Sequence, residues 1–440
     1  MADALAAHAA KRQSLVSSLR QGTGPVALAK ETSNLFRDRD TGQRRRLDVR
    51  GFDQVLRVSE AFVEAEGMIP YEDLTRECLK RGVMPAVVPQ LKTITLGGAV
   101  AGVGIESSSH RHGLVHDTML ELDVLLGDGR VVACTPDNEH ADLFFGFPNS
   151  YGTLGYALRV KARTIPVKPY VRLTHLPFEN FSELEAHLEA GEADFIDGTL
   201  FSPQRKFITL GRFADSAPYT SDYTYESIYY RSIGEKREDY LTVSDYIWRW
   251  DTDWFWCSKN VFAQNALARK YLFGKKRLGS RTYTKIMRWN SRVGVTKKLE
   301  RLLGLHSESV IQDVDIPIAR ADEFLRFYAR EIGLWPQWIC PIGVAESRFA
   351  LYPVERGWYV NFGFWDVKRT REAHPPGHFN RLIEDQVAAL GGIKSLYSDS
   401  FFAEDDFRQR YGGAAYDALK RKYDPTGAFP RLYDKCVLKA

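Results

Sequence analysis

Nowhere in the 440 residues do apolar side chains run for the ~20 positions that a membrane-spanning helix needs. The opening stretch from Met1 to Arg12 also lacks an apolar core of signal-peptide length. Neither a spanning nor a secreted protein is expected. Cysteine is scarce too: Cys78, Cys134, Cys257, Cys340 and Cys436 are far apart, odd in number and without a CxxC pair. That spacing excludes a disulfide framework or a zinc ribbon and favours a reducing cytoplasm. No internal repeat or low-complexity tract occurs. A net charge of +4 is too small to argue for nucleic acid. What remains, 44% apolar and 26% charged, is the balance of an ordinary globular protein, and two domains are the default at this length.

The richest stretch runs from Ile94 to Asp117 and places Gly97, Gly98, Gly102, Gly104 and Gly113 among small and hydroxyl side chains. Without Cβ atoms the backbone can approach a large ligand and turn successive N–H groups toward an anionic or carbonyl-rich group. The following residues Met119 to Ala133 alternate and break at Gly127-Asp-Gly129, which predicts two strands joined by a tight turn, so the glycine run is expected to feed a sheet. Upstream, Leu47 to Arg50 and Val55 to Ala65 have strand character, and Tyr71 to Arg81 has helical spacing that stops at Gly82. This order is α+β. A dinucleotide fold reads poorly: Ser107 replaces the third glycine of the fingerprint, and Leu96 to Ala101 is weak as the preceding strand. Two prolines in Thr164 to Pro169 close this half, and most tryptophans and tyrosines follow, including Tyr246 to Trp256. Asp406 to Tyr411 and Tyr416 to Tyr423 have helical spacing.

The succession Val88-Pro-Gln, Thr95-Leu-Gly-Gly98, Gly104-Ile-Glu-Ser-Ser-Ser-His110, Gly127-Asp-Gly129, Asp142-Leu-Phe144 and Gly152-Thr-Leu-Gly155 resembles the flavin domain of the vanillyl-alcohol-oxidase-type (PCMH-type) FAD proteins. Within them it is most similar to the delta-24-sterol reductase (Diminuto) branch. The likeness continues in Gln312-Asp313, Trp335 to Pro341 and Gly427 to Lys435, so it covers the chain from roughly Thr32 to the end. The resemblance implies an α+β, two-domain PCMH-type FAD-binding fold with an α+β cap. Residues 1–168 are expected as the FAD domain, 169–395 as the substrate cap, and 396–440 as a C-terminal segment packing back on the FAD domain. Eukaryotic sterol reductases carry an apolar N-terminal anchor, from which this chain departs.

FAD needs backbone donors for its pyrophosphate and a slot for its ring. Thr32, Ser33 and Asn34 are the candidates for the first pyrophosphate loop. Thr95, Gly97, Gly98, Gly102, Gly104, Ile105, Ser107, Ser108, Ser109, His110 and Gly113 are the second wall, with Gly152 and Gly155 on the adenosine side. The Lys30 to Phe36 loop has no His or Cys, so a non-covalent flavin is expected. For reduction of a double bond an acid must protonate one carbon. Glu106, His110, Asp313 and Tyr397 are the catalytic candidates, with Asp315 and Tyr359 as further acids on expected strands.

His110, His112 and His116 invite a metal reading, yet no carboxylate pair or cysteine completes a shell, so no metal is expected. From Arg269 to Arg301 basic residues interleave with Tyr271, Leu272, Phe273, Ile286, Met287 and Trp289, and only Glu300 opposes them. Without a nucleic-acid motif, this segment is expected to contact an anionic membrane peripherally, on its cytoplasmic face. The sequence assigns no oligomeric state. The whole implies an FAD-dependent ene-reductase acting on a lipid, a methylene-branched fatty acyl chain or a sterol side chain, with NADPH as donor. An FAD-dependent alcohol oxidase or dehydrogenase and a non-catalytic lipid-binding protein are the rivals; the latter predicts no tightly held flavin.

Overall fold

The computed structural model describes residues 2–22, 24–30, 36, 44–293, 300, 303–346 and 348–439. An N-terminal helix, Ala2–Arg20, lies over a parallel pair of short strands, β1 (Val26–Ala29) and β2 (Arg45–Asp48). It is fixed by Glu66, whose buried carboxylate accepts from Lys11 at 2.6 Å and pairs with His8 at 2.8 Å. Leu15 and Leu19 enter a small core with Val26, Leu47 and Phe52.

The first large sheet is antiparallel, in the order β3 (Val55–Val58), β4 (Phe62–Glu66), β8 (Tyr156–Pro166), β6 (Met119–Leu125) and β7 (Val131–Cys134), with β5 (Val83–Pro85) also pairing β8. On its long central strand Arg159 reaches across to Glu64, Glu121 and Asp123. The segment expected as strand from Val55 to Ala65 is broken by a turn in which the Ser59 hydroxyl accepts from the Phe62 N–H at 3.1 Å. The expected helix is Tyr71–Leu79, and β2 lies two residues earlier than Leu47 to Arg50 predicts.

The glycine run does not enter the sheet directly. It first forms two short helices, Leu96–Ala101 and Ser109–His112, because Leu96, Ala99 and Val100 bury together and Thr95 caps the first turn.

β8 ends at Pro166, and β9 (Tyr170–Pro177) begins in a different sheet. That second sheet has β10 (Phe195–Leu200), β11 (Lys206–Ala214), β12 (Glu238–Thr242), β13 (His306–Pro317), β14 (Gln337–Val344), β15 (Gly357–Thr370) and β16 (Ile393–Lys394), in the spatial order β12-β9-β11-β10-β14-β15-β13-β16. Its pairs are all antiparallel, so alternate residues face opposite sides. One side, with Ile196, Ile208, Val314, Ile339 and Phe362, is covered by the helices Phe181–Ala190, Ala321–Glu331 and His378–Ala389. The other side carries Asp197, Cys340, Asn361 and Asp315, all buried. The core on this second side is continuous with that of the first sheet. The C-terminal helices Glu404–Arg410, Gly413–Tyr423 and Leu432–Cys436 return to the first half, where Lys420 donates to the Thr153 carbonyl at 2.7 Å and Lys435 to that of Tyr151 at 2.6 Å.

Candidate functional site

The glycine wall separates into residues that pack and residues that remain open. Gly97 is buried, its N–H bonds the Gly67 carbonyl at 2.8 Å, and a Cβ there would meet that same oxygen at 2.8 Å. Gly104 is equally tight against Val115, and Gly155 against Val124 and Leu125. Gly98, by contrast, is the exposed position in the otherwise buried run 95–100, and a Cβ on it would meet only the Thr95 side chain, its Oγ1 at 2.7 Å, and no backbone. Beside it, the ring of Tyr151 lies 3.5 Å from where a Cβ on Gly102 would stand. Asn149, Tyr151 and Gly152 all hold positive φ, at 61°, 50° and 76°. Two of them are not glycine, and such backbone persists where its surroundings over-determine it. The Tyr151 N–H bonds the Ala101 carbonyl at 2.8 Å, tying this strained loop to the glycine wall. Ser150 Oγ and Asn149 Oδ1 are buried there without a hydrogen-bond partner.

Among the acid candidates, burial first and the neighbouring Asp313 second hold the Tyr397 phenol well above its usual range, with Tyr151 adding to the same shift. Tyr397 lies close to Asp313 and accepts from the Trp365 indole N–H at 2.8 Å. Asp313 is half-buried on β13, with its Oδ1 unpartnered. Burial first, and the neighbouring carboxylate of Asp315 second, push its pKa up to about 8. Asp315 itself is raised by burial to about 6, although Tyr352 donates to it at 2.5 Å and Asn361 at 2.7 Å. Near neutral pH Asp313 therefore keeps its proton while Asp315 is ionised. Aromatic rings close over this pair: Phe255 stacks on Trp365 at 4.3 Å between centroids, and Phe36 packs against both Trp254 and Tyr397.

Glu106 and His110 are placed elsewhere, in a fully packed cluster that joins the two sheets. Arg249, buried, donates to Glu106 at 2.9 Å and to Asp197 at 2.7 Å, and the Trp338 indole donates to Asp197 at 3.1 Å. Burial raises the Glu106 pKa, with Arg249 opposing. Ser107 donates to Glu106 at 2.6 Å and is 2.8 Å from the Tyr246 hydroxyl; Ser108 donates to the Ala86 carbonyl, and the Ser109 hydroxyl accepts from the Glu106 N–H. The His110 ring nitrogens lie 2.9 and 3.1 Å from the carbonyls of Ser107 and Ala193, while burial lowers its pKa. Both carbonyls can be satisfied only by the protonated ring, which burial opposes. The loop seats against β14, where a Cβ on Gly343 would lie 2.4 Å from the His110 carbonyl. Ile105 is buried beside it, and Gly113 takes φ 72° at its end. Thr32, Ser33 and Asn34 lie outside the described residues.

Sequence reasoning missed Arg249, Asp197 and Trp365. A single acid inside the apolar run Phe195-Ile-Asp-Gly-Thr-Leu200 was the available signal for Asp197; Arg249 was hidden in the aromatic run Tyr246 to Trp256. Among the described residues no group of three His, Cys, Asp or Glu side chains is arranged to hold a metal ion. His116 instead packs edge-on against Phe349 at 4.4 Å.

The sequence profile of the family described as FAD binding domain matches residues 3–135. The chain is 28% identical to the Delta(24)-sterol reductase of Homo sapiens over 85% of its own length and 73% of that protein. It is 25% identical to the Delta(24)-sterol reductase of Pisum sativum, over 89% and 76% respectively. It is also 31% identical to Cytokinin dehydrogenase 7 of Oryza sativa subsp. japonica, but across only 31% of this chain and 28% of that one. The chain is an FAD-binding oxidoreductase with a PCMH-type FAD-binding domain and an α+β fold, and its likeness to Delta(24)-sterol reductases extends over most of its length. FAD fits the residues found: Gly98 offers a face without a side chain, and Ser150 and Asn149 offer buried polar atoms with no protein partner.

Proposed function

We propose that this FAD-binding oxidoreductase reduces a carbon–carbon double bond of a lipid, a branched acyl chain or a sterol side chain, taking its electrons from NADPH. Gly98, Gly102 and the Asn149 to Gly152 loop would hold FAD, which supplies two-electron chemistry when bound. No His or Cys stands between Lys30 and Phe36, which supports attachment without a covalent bond. The observation that carries the reading is the half-buried Asp313, whose pKa burial pushes up to about 8 and which lies close to Tyr397.

A reductase of this kind must hand a proton to one carbon of the alkene, and a carboxylic acid whose pKa lies near the working pH is suited to doing so. Trp365 occupies a lone pair of the Tyr397 oxygen, which leaves the phenolic proton free to turn toward Asp313. Asp313 is then the proton store, and Tyr397 orients it or relays the proton. Asp315, held by Tyr352 and Asn361, keeps that proton in place through its negative charge. The rings of Phe36, Trp254, Phe255 and Trp365 give an apolar wall that suits a hydrocarbon chain and excludes water. Delta(24)-sterol reductases are named for reducing such a bond, and the likeness to them supports the same reaction class here.

The test is anaerobic rapid mixing of the flavin-loaded protein with NADPH, followed by an unsaturated lipid. Bleaching of the flavin by NADPH and its recovery on adding the alkene are expected, with saturated lipid recovered in equal amount. Bleaching by an alcohol, with prompt reoxidation by oxygen, would favour an oxidase instead.

A further inference from the structure

Between Asp253 and Glu300 the chain contains no acidic residue. This segment folds into a lobe with two very different sides. Its inner side is anchored: Arg269 donates to both oxygens of Asp253, Ser280 donates to Asp251 at 2.6 Å, and the buried Tyr283 donates to the Thr252 carbonyl at 2.9 Å. Its outer side leaves large apolar side chains in water. Phe262 is 79% exposed, Tyr271 77%, Leu272 63% and Trp289 59%, and Leu267 is exposed with them. Scattered single apolar residues on a surface mean little, but most of the exposed large apolar side chains of the described residues fall in this one segment.

Cations accompany them. On the helix Ser280–Val293, Arg281, Lys285 and Trp289 are exposed at four-residue spacing and so share one face. Lys270, Lys275, Lys276 and Arg277 are exposed on the preceding turns. Arg281 pairs with Glu72 at 2.7 Å, and Lys275 approaches Asp222 at 3.8 Å. Among the described residues no carboxylate pairs with Lys270, Lys276, Arg277 or Lys285. A solvated basic face explains the charges but not the aromatic and leucine side chains set among them.

We infer that the face formed by residues 262–289 docks on an anionic membrane surface, with Leu267, Tyr271, Leu272 and Trp289 entering the interface and the unpaired cations meeting lipid phosphates. The inference extends the lipid reading, because the same lobe turns Trp254, Phe255 and Trp256 inward toward Trp365 and Tyr397. The charge pattern favours an anionic bilayer over a protein partner, since binding to headgroups needs many cations and no specific acidic counterpart.

The experiment is co-sedimentation of the full-length, flavin-loaded protein with phosphatidylcholine vesicles containing or lacking phosphatidylglycerol, across a salt series. Binding is expected only with phosphatidylglycerol, and it weakens as salt rises. Changing Lys276, Arg277 and Lys285 to Ser should weaken partitioning about 100-fold, at roughly fivefold per cation near the surface. Leu272→Ser with Trp289→Ser should abolish the binding that survives high salt. Lipids brominated near the headgroup should quench the wild-type fluorescence, and Trp289→Phe should remove that quenching. Retained flavin shows that each variant is folded, and the wild-type salt series and quenching decide the matter without any variant. Absence of wild-type sedimentation, sedimentation of the triple variant like wild type, or retention by RNA in place of vesicles would each overturn the inference. Turnover of detergent-dispersed lipid by the triple variant is expected to match wild type, so a failure of docking is distinct from a failure of the reductase reading.

Discussion

Gly97 and Gly98 are neighbours of the same type with opposite surroundings, and substitution should separate them. Gly97→Ala drives a methyl against the Gly67 carbonyl, which is backbone and cannot step aside, so a loss of about 2 kcal/mol of stability is expected in urea unfolding. Gly98→Ala adds helix propensity of up to about 1 kcal/mol, offset in part by pressure on the Thr95 cap, so stability should change little while flavin occupancy falls. Equal flavin content in Gly98→Ala and wild type would displace the ring from this wall. For Asp313, the rate of the proton-dependent step should be flat below about pH 8 and fall tenfold per unit above it. Asp313→Asn should lower that step by about 100-fold or more and remove the break, whereas Asp315→Asn should move the break to lower pH by removing the negative neighbour. Stability carries the same signature. Asp313 and Asp315 bind protons more readily folded than unfolded, so the stability they add is complete below their unfolded pKa near 4. It is lost as pH rises through about 6 for Asp315 and about 8 for Asp313. Melting curves of Asp313→Asn across that window should be flatter than those of wild type, by on the order of 6 kcal/mol from end to end.

At the scale of elements, the loop from Gly104 to Gly113 acts as a clamp between the two sheets. Its serines are spent on the Ala86 carbonyl, on Tyr246 and on the loop itself, and its Glu106 is tied to Asp197 of the second sheet through Arg249. Removing the cation alone would leave Asp197 and Glu106 buried with no opposing charge, which costs more than losing a surface pair. Arg249→Met is therefore expected to cost about 3–5 kcal/mol in chemical denaturation and to loosen the second sheet, read as faster amide exchange in β10 and β14. Glu106→Gln should cost about 1 kcal/mol, because burial already weakens the case for a charge there. Equal losses in both variants would mean that the cluster does not join the sheets through Arg249. The helix Leu96–Ala101 shows why this part of the chain was hard to read: its residues are too few for helical periodicity to register, and its start is set by one hydroxyl, Thr95.

For the molecule as a whole, bound FAD should stabilise the fold by mass action, about 2.7 kcal/mol when free FAD is 100 times its Kd. Acid precipitation should release all of the flavin into the supernatant; yellow colour retained on the denatured chain would refute non-covalent binding. Much of this architecture was legible beforehand. Glycine spacing and the alternation from Met119 to Ala133 determined an α+β half, because backbone conformation and strand alternation are local properties written at fixed offsets, while flavin binding followed from the resemblance carried by the motifs from Val88 to Gly155. The acids Asp313, Asp315 and Tyr359 could be placed on strands for the same reason. Which acid retains its proton was decided only by tertiary structure. The antiparallel register sets Asp315 against Asn361, and the returning chain brings Tyr397 to Asp313 from far along the sequence. Likewise, the sequence showed that 269–301 is basic, but only folding determined that Arg269 and Tyr283 turn inward while Tyr271 and Trp289 face water. Burial and charge proximity depend on all neighbours at once, and those neighbours come from strands that the chain order alone does not bring together.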